Sequence, residues 1–230
     1  MKSPWASGGC GGTIICEKFV MTAAHCIDLL DSNGNYHLLE PSQVKVFAEE
    51  HSQWDASDHV EHSVEAIHPH PDWNSNALNF DFALLELSKP LDLSRGSKAR
   101  AACLPDMSDS RIFKDGTTFV ASGWGRHVGG HDPSSPDILR KVDLPWLPKQ
   151  FCGVSAPIIC TGNSGEQGVC QGDSGGKFEA DLFYGPLIFL VTGFFSNFVS
   201  EICSIATILG LELVEIHRVF GYPANFQKRQ

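Results

Sequence analysis

The sequence predicts an all-β fold, a sandwich or a barrel, and two features of the 230-residue chain support that prediction. Short runs rich in β-branched and aromatic residues recur along the chain, and turn residues separate them. The chain also contains 22 glycines and 13 prolines, which suit the many turns of an all-β protein. No low-complexity tract interrupts this pattern, so we expect a folded domain over most of the chain.

The predicted strands alternate with polar or proline-containing segments. They are, in order, Thr13–Ile15, Phe19–Met21, Val44–Phe47, Val64–Ile67, Phe82–Leu87, Thr118–Ala121, Ile138–Leu144, Pro157–Ile159 and Leu187–Phe195. One helix is predicted at Ile208–Phe220, where apolar residues recur every three or four positions. The connector Ser88–Pro105 divides the chain into parts of about 1–95 and 96–230.

Charge and apolar patterning argue against two classes of partner. The formal net charge of −10 disfavours nucleic acid and anionic membranes, since both require basic patches on the protein. The longest apolar run, Pro186–Phe195, is about half of the roughly 20 residues that a helix needs to cross a bilayer. We therefore expect no nucleic acid and no membrane as partner.

Eight cysteines predict an oxidising compartment and therefore a secreted, extracellular protein. Buried reduced thiols or a metal site are the alternatives, but no Cys-x-x-Cys pair favours zinc. The start of the chain, Met1–Trp5, lacks the apolar core of a signal peptide. An extracellular chain without that signal predicts that the start of the protein is missing from this sequence.

One acidic stretch of the first half is rich in histidine, and two interpretations are open for it. The histidines are His51, His59, His62, His68 and His70. A metal site is the first interpretation, but these spacings form no recognisable ligand register. A solvated loop is therefore the preferred one.

Three separated segments contain the residue types needed for acyl transfer. Ser174 lies between glycines in Cys170–Gly176, His25 ends the run Thr22–Cys26 in front of a cysteine, and Asp81 precedes the apolar run from Phe82. A serine hydroxyl is a poor nucleophile until a neutral imidazole takes its proton, and a buried carboxylate fixes the tautomer of that imidazole. The sequence therefore contains a candidate nucleophile, base and carboxylate in the chain order His, Asp, Ser.

These segments, together with Ser122–Gly125 and Ile158–Gly162, resemble the chymotrypsin-like (trypsin-like) serine peptidases from about Cys10 to Cys203. The resemblance implies one peptidase domain over 1–230, with two antiparallel six-stranded β-barrels of the chymotrypsin type and the catalytic cleft between them. To this architecture the sequence adds the short C-terminal helix. The implied activity is that of a serine endopeptidase, which hydrolyses proteins or peptides through an acyl-enzyme intermediate and needs no cofactor.

By the same resemblance, the catalytic residues are His25, Asp81 and Ser174. The backbone N–H groups of Gly172 and Ser174 form the oxyanion hole, usually the largest single catalytic contribution. Structural calcium is a further option, because Glu50, Asp55 and Asp58 lie where some members of the family hold that ion.

The resemblance also implies disulfide pairs: Cys10 with Cys26, Cys152 with Cys160, and Cys170 with Cys203. Cys103 matches a position that tethers an upstream regulatory segment in many relatives. Cys16 has no counterpart in the family. These last two pair with each other or with a segment outside this sequence, and the sequence leaves that choice open.

The chain departs from the family at its start and after Cys203. Active members begin with a freshly cut Ile-Val-Gly-Gly-type terminus, whose ammonium inserts beside the aspartate that precedes the nucleophile, here Asp173. Without that terminus Asp173 lacks its cation, so we expect a zymogen-like, nearly inactive site for residues 1–230 alone. Lys177 replaces a usual proline, and Ser204–Val214 replaces an expected glycine- and proline-containing strand.

The specificity pocket is predicted from Gly168, Ser196 and Phe198. Gly168 stands where trypsin has an aspartate, so an Arg or Lys side chain of the substrate finds no counter-ion there. Phe198 narrows the slot, and we expect small or medium apolar P1 residues. Two alternatives to an enzyme remain, namely a catalytically silent relative that binds other proteins and an incomplete gene product.

Overall fold

The structure is a computed structural model, and it describes residues 9–31, 33–55, 57, 59–76, 80–104, 116–126, 136–148, 150, 159–162, 168–180, 187–190 and 216–221. Residues 187–190 and 216–221 are described by their backbone alone. In this part of the chain, no helix is long and apolar enough to cross a membrane.

The described elements are almost all strands. They are β1 (Gly9–Cys16), β2 (Phe19–Thr22), β3 (Asp28–Leu30), β4 (Tyr36–Leu38), β5 (Val44–Ala48), β6 (Val60–Pro69), β7 (Ala83–Leu87), β8 (Thr118–Gly123), β9 (Arg140–Leu147), β10 (Cys160–Thr161), β11 (Lys177–Ala180), β12 (Leu187–Leu190) and β13 (Ile216–Gly221). Two 3₁₀ turns, Ala24–Cys26 and Pro41–Gln43, interrupt them. The all-β prediction is confirmed.

Six strands close an antiparallel barrel in the spatial order β1, β13, β5, β6, β7, β2. Alternate residues of a strand face the same side, so Val44 and Val46 of β5 fill the barrel together with Leu85 of β7. Each fully buried side chain of this size contributes about 1.5–3 kcal/mol. The hairpin of β3 and β4 is a separate two-stranded sheet.

Residues on the other face of the barrel wall form a second buried cluster. Ile15 of β1, Met21 of β2 and Leu84 of β7 belong to it, and Leu104 of the connector packs against it. Because both faces of these strands are covered, apolar residues follow one another directly within each of them, as at Ile14–Ile15, Phe19–Met21 and Ala83–Leu85. These short apolar runs explain why parts of β1, β2 and β7 were predictable.

The second sheet has the strand order β10, β9, β8, β11, β12, again antiparallel. Phe119 of β8 and Phe178 of β11 stack with ring centroids 4.7 Å apart and both rings are buried. This pair holds β11, which follows the candidate nucleophile, against the centre of the sheet.

The predicted C-terminal helix is wrong for the residues that the structure describes. Ile216–Gly221 is strand β13, which pairs with β1 and with β5. The apolar spacing within one segment does not reveal which strands that segment will pair with. Here the open edges of β1 and β5 offer hydrogen bonds to the backbone of Ile216–Gly221. Strand β13 thus comes from the C-terminal part of the chain but completes the first barrel. The remainder of the predicted helix lies outside the described residues.

The prediction of a solvated loop is wrong for part of the histidine-rich stretch, although the exposed His51 lies outside any strand, as expected. His62 and His68 lie within the ten-residue strand β6, and His70 just beyond it is only 5% exposed. Polar residues alternate in β6 because one face of the strand is solvated. The predicted strand, Val64–Ile67, is shorter than β6. Histidine content alone did not reveal that register.

Glycines bring the two sheets together near the candidate site. The Gly11 N–H group donates a 2.7 Å hydrogen bond to the Ser174 carbonyl oxygen. A Cβ atom on Gly11 would lie 2.5 Å from the Gly176 Cα, and one on Gly175 would collide with Thr22 Oγ1. The backbones can approach this closely only without side chains, so these glycines determine where Ser174 lies relative to β1 and β2.

Candidate active site

His25 lies in the 3₁₀ turn that follows β2. Ala23 and Ala24 are fully buried beneath it, and the Cys26 N–H group donates to the Ala23 carbonyl oxygen at 3.1 Å. A disulfide joins Cys10 of β1 to Cys26, directly after the histidine. Buried small residues and a covalent link therefore hold the backbone of His25, while its side chain stays 32% exposed.

Asp81 lies directly before β7 and contacts His25 twice. Its Oδ1 accepts the His25 backbone N–H at 2.8 Å, and its Oδ2 lies 2.6 Å from His25 Nδ1. The carboxylate is acceptor-only when ionised, so Nδ1 carries the proton and the lone pair of the neutral ring is on Nε2. This is the tautomer that a general base needs.

Ser174 is held by its backbone beside the same disulfide. Cys26 Sγ lies 3.7 Å from His25 Nε2 and 4.0 Å from the Ser174 carbonyl oxygen. Within the described residues, no hydrogen bond joins Ser174 Oγ to His25 Nε2. In free enzymes such contacts are often long and tighten only when a substrate is bound. The structure thus brings the three candidate residues to one region and directly pairs two of them.

The turn before Ser174 depends on glycine. Gly172 has a φ of +101°, and a Cβ atom there would lie 3.1 Å from the Gly125 Cα. Only glycine adopts this conformation without strain. Gly172 was predicted as an oxyanion donor, and the structure shows it in a backbone conformation that a residue with a side chain would adopt only with strain.

Asp173 turns its carboxylate inward, toward the end of β8. Its Oδ1 accepts the Gly125 N–H at 2.8 Å, and its Oδ2 accepts the Cys170 N–H at 2.9 Å. A Cβ atom on Gly123 or Gly125 would collide with this carboxylate. Burial raises the pKa of Asp173 above its ordinary value, and the two backbone hydrogen bonds offset part of that shift. We expected Asp173 to lack its cation, and among the described residues it has backbone donors instead.

The predicted specificity pocket is described at one residue. Gly168 is exposed, and a Cβ atom there would meet nothing within 4 Å. Ser196 and Phe198 lie outside the described residues. The preference for apolar P1 residues therefore stays a prediction.

The predicted disulfides have three different outcomes. Cys10–Cys26 is present and confirmed. Cys160 is disulfide-bonded, but Cys152 lies outside the described residues, so that pair stays a prediction. Cys170 has a free, exposed thiol in the structure, so the predicted link to Cys203 is not formed there. A disulfide requires two Cα atoms within about 7 Å, and Cys203 also lies outside the described residues.

The remaining cysteines and the proposed calcium ligands do not form a site in the described residues. Cys16 is buried and Cys103 half-buried, both outside a disulfide. Glu50 is buried with its Oε1 3.5 Å from His59 Nε2, whereas Asp55 is exposed and accepts hydrogen bonds from Ser57. Asp58 lies outside the described residues.

One group of three potential metal ligands occurs in the described part of the chain, and it involves the candidate base. Donor atoms of Cys10, His25 and Cys26 lie within 4.8 Å of one another. The sulfur atoms of Cys10 and Cys26 are bonded to each other in the disulfide, so neither is a thiolate that could bind a metal.

The comparisons with known proteins identify the family. The family model named Trypsin matches residues 2–179 of the chain. The chain belongs to the trypsin family of serine peptidases. Clotting factor C of Tachypleus tridentatus is 29% identical over 197 residues, which are 78% of this chain and 18% of that protein. Limulus clotting factor C of Carcinoscorpius rotundicauda gives the same three values. The chain therefore spans 18% of the length of these curated relatives.

Sequence reasoning missed one residue beside the candidate carboxylate. His70 was assigned to a solvated loop, but its ring contacts both Phe80 and Phe82, the two residues that flank Asp81. The sequence contained one signal for this arrangement, namely one phenylalanine on each side of the aspartate. Two aromatic side chains so close together favour packing against another ring over an exposed loop.

Proposed function

We propose that this protein is a serine endopeptidase that cleaves proteins or peptides through a His25–Asp81–Ser174 triad. The observation that carries the proposal is the double hydrogen bond from His25 to the Asp81 carboxylate, with Ser174 held at the same disulfide. Membership of a family of serine peptidases supports it.

In the proposed mechanism, His25 Nε2 removes the proton of Ser174 Oγ as the oxygen attacks the scissile carbonyl carbon. Asp81 stabilises the imidazolium that results, because its Oδ2 lies 2.6 Å from Nδ1. The proton on Nε2 then passes to the departing amine, and the carbon–nitrogen bond breaks to leave an ester on Ser174. A water molecule then attacks the ester carbonyl carbon while His25 Nε2 removes its proton. That proton passes to Ser174 Oγ as the carbon–oxygen bond of the ester breaks. The N–H groups of Gly172 and Ser174 stabilise the negative oxygen of each tetrahedral intermediate.

The site of action in this proposal is extracellular. The disulfide at Cys10–Cys26 and the bonded state of Cys160 suit an oxidising compartment. Two relatives are named clotting factor C, which favours protein substrates over small esters. The half-buried thiol of Cys103 is the proposed attachment point of a regulatory segment.

The test is covalent labelling of Ser174 by a fluorophosphonate, followed by peptide mapping. Because residues 1–230 alone are expected to be nearly inactive, the wild-type protein of this test is a chain extended at its start and then cut to expose an Ile-Val-Gly-Gly terminus. The wild-type protein should be labelled at Ser174, and Ser174→Ala should abolish labelling without changing the melting temperature. His25→Ala should slow labelling nearly as much as loss of the nucleophile, because the three residues act as a unit. Labelling that persists in Ser174→Ala, or is absent from a folded wild-type protein, rejects the proposal and leaves a non-catalytic binding protein.

Substrate preference is tested separately with chromogenic peptides that carry Arg, Phe, Leu, Ala or Val at P1. We expect the apolar peptides to be cleaved fastest, since Gly168 offers no charge to a basic side chain. A best rate with Arg would reject the proposed pocket while leaving the triad untouched.

A further inference from the structure

The chain around Asp81 is folded tightly over one buried imidazole. The ring of His70 stacks on Phe80 with centroids 4.8 Å apart and planes 11° apart. The same ring also contacts Phe82, with centroids 4.7 Å apart and planes tilted by 56°. The backbone is tied down as well, because the His70 N–H donates to the Phe82 carbonyl oxygen at 3.0 Å. His70 therefore touches both neighbours of Asp81 in the chain.

The backbone at this point is strained. Phe80 has a φ of +55°, in the left-handed region that bulky residues rarely adopt. The Phe82 N–H donates to the Phe80 carbonyl oxygen at 2.8 Å, so the chain reverses tightly around Asp81. Strain of this kind persists only where the surroundings hold it in place, and it concentrates at functional sites. Phe80 is 42% exposed, and its ring stacks on the imidazole of His70.

His70 is itself fixed and neutral. The Asp72 backbone N–H donates to His70 Nδ1 at 3.0 Å, which makes that nitrogen an acceptor. The side chain is 4% exposed, and burial holds the pKa of His70 below its ordinary value although the nearby Asp72 opposes the shift. A ring that accepts this hydrogen bond and contacts two aromatic rings is a rigid support.

We propose that His70 is a positioning residue for the catalytic carboxylate, and that its stack on Phe80 fixes the direction in which Asp81 meets His25. This inference rests on the proposed function, because it assigns Asp81 the role of the triad carboxylate. Both oxygens of Asp81 are engaged by His25 and neither by His70, so His70 acts only through the backbone on either side. A shift of about 1 Å at such a group costs about 100-fold in rate.

Three variants of Phe80 test the stack, since its exposed side can be changed without opening the core. Phe80→Tyr keeps the ring, Phe80→Ala removes it and keeps the strain, and Phe80→Gly removes both. Trp54→Ala, which removes another exposed aromatic ring at 54% exposure, is the control. We expect kcat to fall by about tenfold to 100-fold in the alanine and glycine variants, with KM little changed. The tyrosine variant and the control should behave as the wild type does.

A spectroscopic readout separates positioning from mere stability. The proton in the short His25 Nδ1–Asp81 hydrogen bond should give a low-field ¹H resonance in a Ser174→Ala background, where no catalysis occurs. That resonance should persist with Phe80→Tyr and be lost or broadened with Phe80→Ala and Phe80→Gly, at temperatures where each variant is folded.

The positioning role is overturned if the resonance and kcat are unchanged in the alanine and glycine variants. It is also overturned if Phe80→Gly alone keeps the wild-type resonance and kcat, since that result would assign the effect to backbone strain. Absence of the resonance in the parent overturns the positioning role too. A normal resonance with no labelling of Ser174 rejects the proposed function and leaves the positioning of Asp81 standing.

Discussion

Asp173 lies beside the candidate nucleophile with its carboxylate enclosed by the glycines of Gly123–Gly125. Burial disfavours its charged form, which is why the pKa of Asp173 is raised. A raised pKa means that the native state binds more protons than the unfolded state between the two pKa values. The stability linked to this group is therefore greatest below about 3.8, the ordinary value, and is lost as the pH rises through the folded pKa.

We expect Asp173→Asn to remove this dependence. The difference in melting temperature, wild type minus variant, should become steadily less favourable to the wild type as the pH rises above about 3.8. Thermal unfolding between pH 3.5 and 7 measures it. Asp92 is the control, because the Ser94 N–H and hydroxyl groups lower its pKa and the linked stability is lost as the pH falls. Asp92→Asn should give the opposite slope, and equal slopes for both variants would contradict the assignment.

The residues of the candidate site divide into those that the sequence could reveal and those that it could not. His25, Asp81 and Ser174 were predicted because each lies in a short motif whose neighbours serve the same site. The burial of His70 was not predicted, because it depends on a stack between β6 and the segment before β7. Glycines 123 and 125 belonged to a recognised motif, yet their reason, the Asp173 carboxylate, became visible only in three dimensions.

At the scale of elements, the turn Cys170–Gly176 is joined to the first barrel by contacts that exclude side chains. Gly175 has a φ of +74°, and a Cβ atom there would collide with Thr22 and lie 2.7 Å from the Gly11 carbonyl oxygen. Thr22 cannot easily move, since its Oγ1 donates to that same oxygen at 2.8 Å. The position of this turn is therefore set jointly by β1, β2 and the backbone after Ser174.

Gly175→Ala should destabilise the protein by about 1–3 kcal/mol, from backbone strain and the forced separation of these elements. Labelling of Ser174 should also slow. Gly96→Ala is the matched control, because a Cβ atom at Gly96 meets nothing within 4 Å and its φ is not positive. We expect that variant to be neutral or more stable by about 0.4–1 kcal/mol. Urea unfolding of both proteins checks the pair, and equal stability would disprove the packing argument.

Strand prediction succeeded where both faces of a strand are buried and failed where pairing alone decides. Ala83–Leu87 is apolar at every position except Glu86 and was predicted to within one residue. The hairpin of β3 and β4 was missed, because Tyr36–Leu38 is only three residues long and all three are exposed. Strand β13 was misassigned as a helix, since it forms its backbone hydrogen bonds with β1 and β5, which lie far away in the chain.

At the scale of the whole molecule, the first barrel depends on strand β13. Gly9 pairs with Phe220 and Val44 with Gly221, so β13 bridges β1 and β5. Without it, both strands would expose a row of unpaired backbone groups, which is a template for aggregation. The barrel is closed by a segment from the opposite end of the chain.

A chain that stops after residue 215 should therefore form aggregates. A chain that stops after residue 221 retains every described strand and serves as the control. We expect the shorter chain to be largely insoluble or to bind a hydrophobic dye strongly, while the control matches the full chain in sedimentation. Equal solubility and equal melting temperatures would show that β13 is dispensable for closure.

The late arrival of β13 has a consequence for biosynthesis. At about 5–20 residues per second, on the order of ten seconds separate the emergence of Leu87 from that of Gly221 at the ribosome. During that interval the nascent barrel has five of its six strands and two unmatched edges. Pairings between residues so distant in sequence form slowly, because loop closure must precede them. We therefore expect the nascent chain to be prone to aggregation until its last strand is translated, and the yield of folded protein should respond to translation speed in the second half of the message.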